Sequence, residues 1–502
     1  MTMRYMLVAD QSTSGTKALI VDRSGRIVAR SFREHRQYYP QPGWVEHDPL
    51  EIYENVKIVL HEVLNAAGLQ PGQMAALSIT NQRETAVIWD KKTGRPLSNA
   101  IVWQCRRTAG MCSEYKADGI EHTVRTKTGL MLDPYFSATK YKWMLNHIEG
   151  ARAKLEEGRL LAGTIDAWLI WKMTGGNVHA TDYTNASRTL LFNIRSLDWD
   201  DELLDIFGMP RSLLPQIKSS DESFGVTEDP DLFAERIPIC GVIGDSQAAL
   251  YGQLCLQPGT AKATYGTGTS VLMNTGATPV DSANGLVTAI AWGLNGQASY
   301  ALEAIIHTSG DCVKWVKENL GFAGTFEEIE RLAASLPDNE GVFIVPAFFG
   351  LGAPYWDAEA RAAIVGLSRA SGKPHIARAA LESIVYQVYD AVELMRKESG
   401  ISLKELRVDG GATENRFLMQ YQADMLQTDV VKSAVPELSA MGAVYIGGLG
   451  SGFWTSPEQI AELQKDIAVY KPAMKRELRE KYVQGWKEAV GRVLSPSQAQ
   501  PL

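Results

Sequence analysis

Two short runs of Ser, Thr and Gly, Gln11-Ser12-Thr13-Ser14-Gly15-Thr16 and Thr264-Tyr265-Gly266-Thr267-Gly268-Thr269, each separate two apolar extended segments and lie about half a chain apart. A strand, a small-residue loop and a second strand that recur at this spacing indicate two similar halves rather than three unrelated domains. The boundary is expected near residue 250, giving halves 1–250 and 251–502.

Local patterns fill in each half. Tyr5 to Asp10 and Ala18 to Val21 flank the first loop, and Arg26 to Phe32 follows the turn Arg23-Ser24-Gly25 as a third strand. Asp48, Pro49 and Glu51 start a helix whose apolar face is Ile52, Val56, Val59, Val63 and Leu64, and Gly68 stops it. Ala75 to Thr80 is a strand that delivers Asn81-Gln82-Arg83-Glu84-Thr85 at its C-terminal end, where α/β proteins place ligands. Ile237 to Ile243 ends likewise at Gly244-Asp245-Ser246-Gln247 before a helical stretch, Ala248 to Leu254. Leu406-Arg407-Val408 runs into Asp409-Gly410-Gly411-Ala412 and a helix from Asn415 to Leu426, a third Gly-rich strand end.

Composition narrows the function. With 58 acidic against 50 basic residues the net charge is -8, the wrong sign for a nucleic-acid binder. No apolar run approaches the roughly 18 to 20 residues of a membrane span, because Asp166, Asp245 and Gln247 interrupt the best candidates. The apolar stretch Met6 to Ala9 is too short for a secretory signal, so a cytoplasmic location is expected. Cys105, Cys112, Cys240, Cys255 and Cys312 form no C-x-x-C pair, and the eight histidines show no H-x-x-x-H or H-E-x-x-H spacing, so neither disulfides nor a zinc site is implied.

Several residues carry chemistry. Gly, Thr and Ser let backbone N–H groups approach phosphate oxygens closely and add short hydroxyls, which suits both loops, although each alone is also a plain hairpin turn. No Walker-type G-x-x-x-x-G-K-[ST] run or complete dinucleotide fingerprint is present. Asp10 at the mouth of the first loop can orient water around Mg²⁺ or cap a turn. Asp245 can take a proton from a hydroxyl as phosphate arrives, or serve as the N-cap of the helix that follows. Arg83 offers only donors and Glu84 only acceptors, so together they bracket a diol; their ordinary alternative is a surface ion pair. Trp103 and Tyr135 are either core aromatics or a wall against polyol C–H groups. Gly244-Asp245-Ser246-Gln247-Ala248 is also a G-x-S-x-A variant of a hydrolase elbow, with His307 or His375 as conceivable partners. Gly447 to Gly452 follows a helix-like stretch and reads as close helix packing or a loop.

Over nearly its whole length the chain resembles the FGGY carbohydrate kinases, and within them the glycerol-kinase branch. The segments that carry the resemblance are Asn81 to Thr85, Asp133 to Lys140, Thr264 to Gly268, Gly350 to Trp356 and Asp409 to Ala412, in the expected order. The resemblance implies an actin-like, ribonuclease H-like α/β fold of two domains with mixed sheets. ATP and a polyol would meet in the cleft between them, the first half binding polyol and the second nucleotide, and the cleft would close on both. It implies phosphorylation of a terminal hydroxyl of a small polyol, glycerol to glycerol 3-phosphate foremost, or of a longer polyol or ketose of the same family. By matching positions, Arg83, Glu84, Trp103, Tyr135 and Asp245 would hold the polyol, with Asp245 as general base. Thr13, Ser14, Lys17, Thr267 and Gly268 would meet the phosphates, Gly310, Gly411 and Asn415 would line the nucleotide, and Mg²⁺ would bridge the phosphates near Asp10 through water. A homo-oligomer, dimer or tetramer, is implied in the same way. An actin-like ATPase module acting on a protein is the reading from another class.

The chain also departs from this pattern. Ser12 stands where the branch has Gly, and Gly15-Thr16-Lys17 where it has Ser-Ser-Arg. Ser246 replaces a Gln and Ser270 a Phe, two shorter residues expected to line the substrate site. Glu303 to Trp315 differs around Gly310, and Ala234-Glu235-Arg236 replaces a Gly-Thr-Arg effector loop, so sugar-bisphosphate control is not expected.

Overall fold

The two small-residue loops occupy corresponding places in two mixed sheets. The computed structural model describes residues 5–463 and 467–495. The first sheet contains β1 (Tyr5–Gln11), β2 (Gly15–Asp22), β3 (Ile27–Glu34), β4 (Met74–Asn81), β5 (Ser223–Val226) and β6 (Pro238–Gly244), in the order β5-β6-β4-β1-β2-β3. Strands β1, β2 and β3 form an antiparallel meander, and β4 and β6 add in parallel on the other side of β1. The second sheet contains β7 (Thr260–Tyr265), β8 (Thr269–Gly276), β9 (Val287–Leu294), β10 (Gln297–Ile306), β11 (Glu405–Asp409), β12 (Asp429–Ser433) and β13 (Ile467–Tyr470), in the order β9-β10-β8-β7-β11-β12-β13. Its run β10-β8-β7-β11-β12 repeats the order and directions of β3-β2-β1-β4-β6. Parallel strands need a long crossover; helix α1 (Pro49–Ala67) provides it before β4, and a 27-residue helix (Lys373–Ser399) precedes β11.

Local chemistry explains these elements. Met6 to Ala9 are fully buried because β1 is central and both faces of the sheet are covered. Asp48 accepts the amide of Leu50 at 2.8 Å at the start of α1, and Gly68 closes the helix at φ 64 by donating its N–H to the carbonyls of Leu64 and Asn65. One apolar core lies between the first sheet and α1, another fills the second half, and two join the halves: in one Val8, Leu19 and Ile243 meet Leu272, Trp292 and Val444, and in the other Leu130 and Ile194 meet Val287 and Tyr300.

The first of the two shared cores depends on helices built from small residues. The helix Asp245–Gly252 crosses a later one, Leu438–Gly450, which lies against β1, β4 and β6. A methyl group at Gly442 would collide with the carbonyl of Ala248, one at Gly447 with Ser78 Oγ and the carbonyl of Cys240, and one at Gly252 with the carbonyl of Leu438. The Gly-rich run that read as a loop or as close packing is thus helical through Gly450 and closely packed. Gly442→Ala is expected to destabilise the protein by about 1–3 kcal/mol, the usual cost of overpacking a tight core. Gly110→Ala, at an open helical position, should be neutral or slightly stabilising. Urea unfolding of both variants measures the contrast, and equal effects would show that the glycines do not set the helix spacing.

Candidate active site

Corresponding strand ends of the two sheets face one cavity of about 1050 Å³. In the first sheet Gln11 pairs with Asn81 and Asn81 with Gly244, so the segments after β1, β4 and β6 leave the sheet side by side. In the second, Thr264 pairs with Asp409 on one side and Ser270 on the other, and Ser270 with Ile305. Ile305, Ser270, Thr264 and Asp409 therefore form a row across four strands, and all four line the cavity.

Five charged side chains crowd one wall. Arg83 is nearly buried; its Nε lies 3.2 Å from Asp245 Oδ1, its Nη1 donates to Gln247 Oε1 at 3.1 Å and its Nη2 to Glu303 Oε1 at 3.2 Å. Arg188, wholly buried, donates from Nε to Glu84 Oε1 at 2.5 Å and from Nη1 to Glu303 Oε2 at 2.7 Å. Arg83 and Glu84 are thus parts of a buried network rather than a surface ion pair. Glu303, from the second half, joins two guanidinium groups of the first. Burial alone would raise the Glu303 carboxyl, but Arg188 and Arg83 outweigh it and hold the group at about 2. For Glu84 burial prevails over the same two guanidinium groups and moves the carboxyl up.

The backbone at Glu84 is strained to make this possible. Its φ is 62, which side-chain-bearing residues rarely adopt, and Thr85 N–H closes onto the carbonyl of Arg83 at 2.7 Å. The carbonyl of Glu84 accepts Ser137 Oγ at 2.9 Å and Lys140 Nζ at 3.4 Å, while Lys140 also donates to the carbonyls of Tyr135 and Phe136. Burial lowers the Lys140 ammonium to about 8.

Asp245 opens its helix with Gly244 at the N-cap, so it is not the cap; its Oδ1 accepts the adjacent amide of Ser246 at 2.6 Å and lies 3.2 Å from Arg83 Nε. Trp103 and Tyr135 are half-buried, meet edge to face with centroids 5.4 Å apart, and line the cavity while packing against an apolar core behind it. Trp103 Nε1 donates to Thr13 Oγ1 at 2.9 Å, linking this aromatic wall to the first hairpin loop. Thr267, Gly268, Ser246 and Ser270 line the same cavity. The Ser270 hydroxyl is buried and has no partner among the described residues.

Asp10 and Lys17 face each other across the first hairpin and line an adjoining cavity of about 400 Å³ that shares Asp409 and Ser439 with the larger one. Burial is the main influence on Asp10: with added repulsion from Asp245 and Glu437 it exceeds the pull of Lys17 and raises the carboxyl to about 7. Lys17 is paired with Glu437 of the second half. Ser14, Gly310, Gly411 and Asn415 line neither cavity. Gly310 lies against the second loop, its N–H bonded to the carbonyl of Gly266 at 3.0 Å, and Asn415 caps its helix through the amide of Leu418 at 2.8 Å. His375 bonds Glu340 and Gly372 outside both cavities, so the hydrolase reading loses one of its two histidines.

Arg188, Glu303, Lys140 and Lys262 are the site residues that sequence reasoning missed. Lys262 and Glu303 carried a usable signal, a lone charge inside an otherwise uncharged, largely buried strand, and Lys262 Nζ donates to Thr264 Oγ1 at 2.9 Å. Arg188 carried none, because its partners lie 104 and 115 residues away.

Models of the N-terminal and C-terminal domains of the FGGY family of carbohydrate kinases match residues 5–252 and 261–451. The chain belongs to the FGGY family of carbohydrate kinases. Among curated FGGY relatives, glycerol kinase 2 of Thermotoga maritima is 51% identical over 492 residues, covering 98% of this chain and 99% of the relative. A glycerol kinase of Alkaliphilus metalliredigens is 51% identical over 491 residues, 98% of each chain. The structure of Plasmodium falciparum glycerol kinase with ADP superposes with a TM-score of 0.93 at 37% identity, over 98% of this chain and 99% of that one. A xylulose kinase from Lactobacillus acidophilus shares the fold, with a TM-score of 0.89 at 21% identity and the same coverage.

The depressed Glu303 carboxyl makes the network an acid-sensitive part of this FGGY fold. Its ordinary value is 4.5 and its folded value about 2, so its stabilisation is fully present above 4.5 and is lost as pH falls towards 2. Glu303→Gln should cost about 3–5 kcal/mol at neutral pH, the usual effect of breaking a buried pair, and the gap from the unsubstituted protein should narrow in acid. Denaturant unfolding across this pH range measures the gap; one that is constant with pH would contradict the assignment.

Proposed function

We propose that this FGGY kinase transfers the γ-phosphoryl group of ATP to a terminal hydroxyl of a small polyol, with glycerol the first substrate to test and glycerol 3-phosphate its product. The observation that carries the reading is one cavity with a buried Arg-carboxylate network on one wall and both Ser/Thr/Gly hairpin loops on the others. All three carboxylates of that network line the cavity, and Asp245 is the most exposed of them at 35%, whereas Glu84 and Glu303 are almost wholly buried.

On this reading Asp245 accepts the proton of the attacking hydroxyl while Arg83, 3.2 Å away, orients the carboxylate. Arg83 and Glu84 bracket a vicinal diol, and Trp103 and Tyr135 cover its C–H face. Thr13 and Ser14 of the first loop and Thr267 and Gly268 of the second offer amides and hydroxyls to the phosphates, with Lys17 beside them. Gly310, Gly411 and Asn415 support or border the nucleotide from the second half. Phosphoryl transfer needs alignment and charge stabilisation more than covalent work, and closing the halves together supplies both while excluding water.

Asp10 and Asp245 fit Mg²⁺. They are hard oxygen donors close enough to repel each other, and their like charge is the kind a cation relieves. When bound, Mg²⁺ would neutralise charge on the phosphates. A cytoplasmic location and a homo-oligomer, dimer or tetramer, belong to the same proposal; no helix among the described residues is long and apolar enough to cross a membrane.

Asp245→Asn should reduce turnover by about 10² to 10⁴, the range for losing a general base, while leaving ATP affinity nearly unchanged. A coupled ADP-release assay with and without polyol, paired with an ATP titration, measures both. Near-normal turnover would remove Asp245 from the mechanism, and ADP release independent of polyol would favour an ATPase module.

A further inference from the structure

A third cavity, of about 470 Å³, shares Ser433, Val435 and Pro436 with the smaller cavity beside Asp10 and no residue with the larger one. Its size falls within the range of about 300–1,000 Å³ usual for small-molecule pockets. The first half supplies the turn between β2 and β3, residues 24–27; the second supplies Arg407 of β11, Val431 and Ser433 of β12, and Met441 of the helix Leu438–Gly450. Gln253 lies between them, directly after the helix Asp245–Gly252. That helix therefore starts at the larger cavity with Asp245 and ends at this one.

Gln253 is wholly buried, and neither its Nε2 nor its Oε1 has a partner among the described residues. Buried amides are rarely left with both ends unsatisfied, so a group that offers an acceptor and a donor side by side is missing from its surroundings. The charge around it has one sign. Arg26 and Arg407 line the cavity, one from each half, and no acid does among the described residues. Arg26 uses Nε on Asp22 at 3.1 Å and Arg407 uses Nε on Glu405 at 2.7 Å, while the terminal Nη nitrogens of both bond no group among the described residues. Such paired nitrogens recognise phosphate or carboxylate in bidentate fashion. The Arg26 side chain is 77% exposed and stands at the mouth, whereas Gln253 marks the deep end.

A flat, apolar-faced group with a donor and an acceptor on one edge, joined to an anion, answers both ends. The glutamine amide pairs in this way with adenine, and Ile27, Val431 and Met441 offer apolar surface to a ring. Ser433 Oγ accepts the amide of Val435 at 3.1 Å and keeps its own proton to donate to a ribose oxygen. We propose that this cavity is a second ligand site, separate from the one that holds Asp245, for an adenine nucleoside monophosphate. Gln253 pairs with the base, and Arg26 and Arg407 hold the phosphate. Because the two arginines come from different halves, the bound nucleotide joins the halves away from the larger cavity.

The test is isothermal titration calorimetry of the full chain with AMP, with adenosine alone and with inorganic phosphate alone. It compares the unsubstituted protein with Gln253→Leu and Arg26→Gln. Urea unfolding should find Gln253→Leu at least as stable as the unsubstituted protein, since it removes an unpaired buried amide, and Arg26→Gln alters only an exposed side chain. The expected result is AMP binding whose Kd rises about 10-fold or more in each variant, the scale of losing one good hydrogen-bonded contact. Adenosine and phosphate should each bind about 10-fold or more weaker than AMP, and polyol-dependent ADP release measured without AMP should be unchanged in both variants. No AMP binding, an AMP affinity that neither variant moves, or phosphate binding as tight as that of AMP would each overturn the site; the kinase reading is tested separately and survives all three.

Discussion

Glu303 accepts hydrogen bonds from Arg83 through one oxygen and from Arg188 through the other, and most of the site's geometry follows from that double contact. Two guanidinium groups near each other in a buried wall repel unless a carboxylate lies between them, and Glu303 is that carboxylate. With Arg188 held by Glu303, its Nε is directed at Glu84; with Arg83 held, its Nε is directed at Asp245. A buried network of this kind contributes only when its members are satisfied, and losing one strands the rest. Because Glu303 lies in β10 and the arginines in the first half, the network also joins the two halves.

The fold provides the frame for this contact by using one plan twice. An antiparallel meander followed by two parallel strands places a hairpin loop and two strand ends at the same edge of each sheet, and the two edges face one cavity. The helix Leu438–Gly450 crosses from the second half onto the first sheet, and its glycines allow that close approach. Strain is accepted where the chemistry is arranged: Glu84 keeps a left-handed backbone because Ser137, Lys140 and Arg188 hold both its carbonyl and its side chain.

Much of this was legible in the sequence. The repeated Ser/Thr/Gly loops pointed to the repeated hairpins of the two sheets, apolar runs and caps located β1, β2, α1 and the helix after Asn415, and the strand ends at residues 81–85, 245 and 409 lie beside the cavities. What stayed hidden depends on distance along the chain. Arg188 has no local pattern, since its identity as a site residue comes from carboxylates more than a hundred positions away. Glu303 stood in a segment noted only for departing from the family pattern. Lys17, which the family resemblance places at the phosphates, is paired with Glu437 from the far end of the chain, a partner no local pattern shows. Local chemistry is written locally, whereas a charge network between halves is legible only after the halves have met.

On the proposed kinase reading Glu303, from the second half, organises polyol recognition by Arg83 and Glu84 of the first. Trp103 lies on the cavity wall, so filling of the site is expected to change its fluorescence. The decisive measurement is therefore a polyol titration of Glu303→Gln followed by tryptophan fluorescence, at a temperature where the variant remains folded, together with an ATP titration. The account predicts a polyol Kd raised by about 10-fold or more, the usual scale for losing one partner of a buried charged hydrogen bond, with ATP affinity within about 2-fold of the unsubstituted enzyme. An unchanged polyol Kd in a folded variant would contradict it.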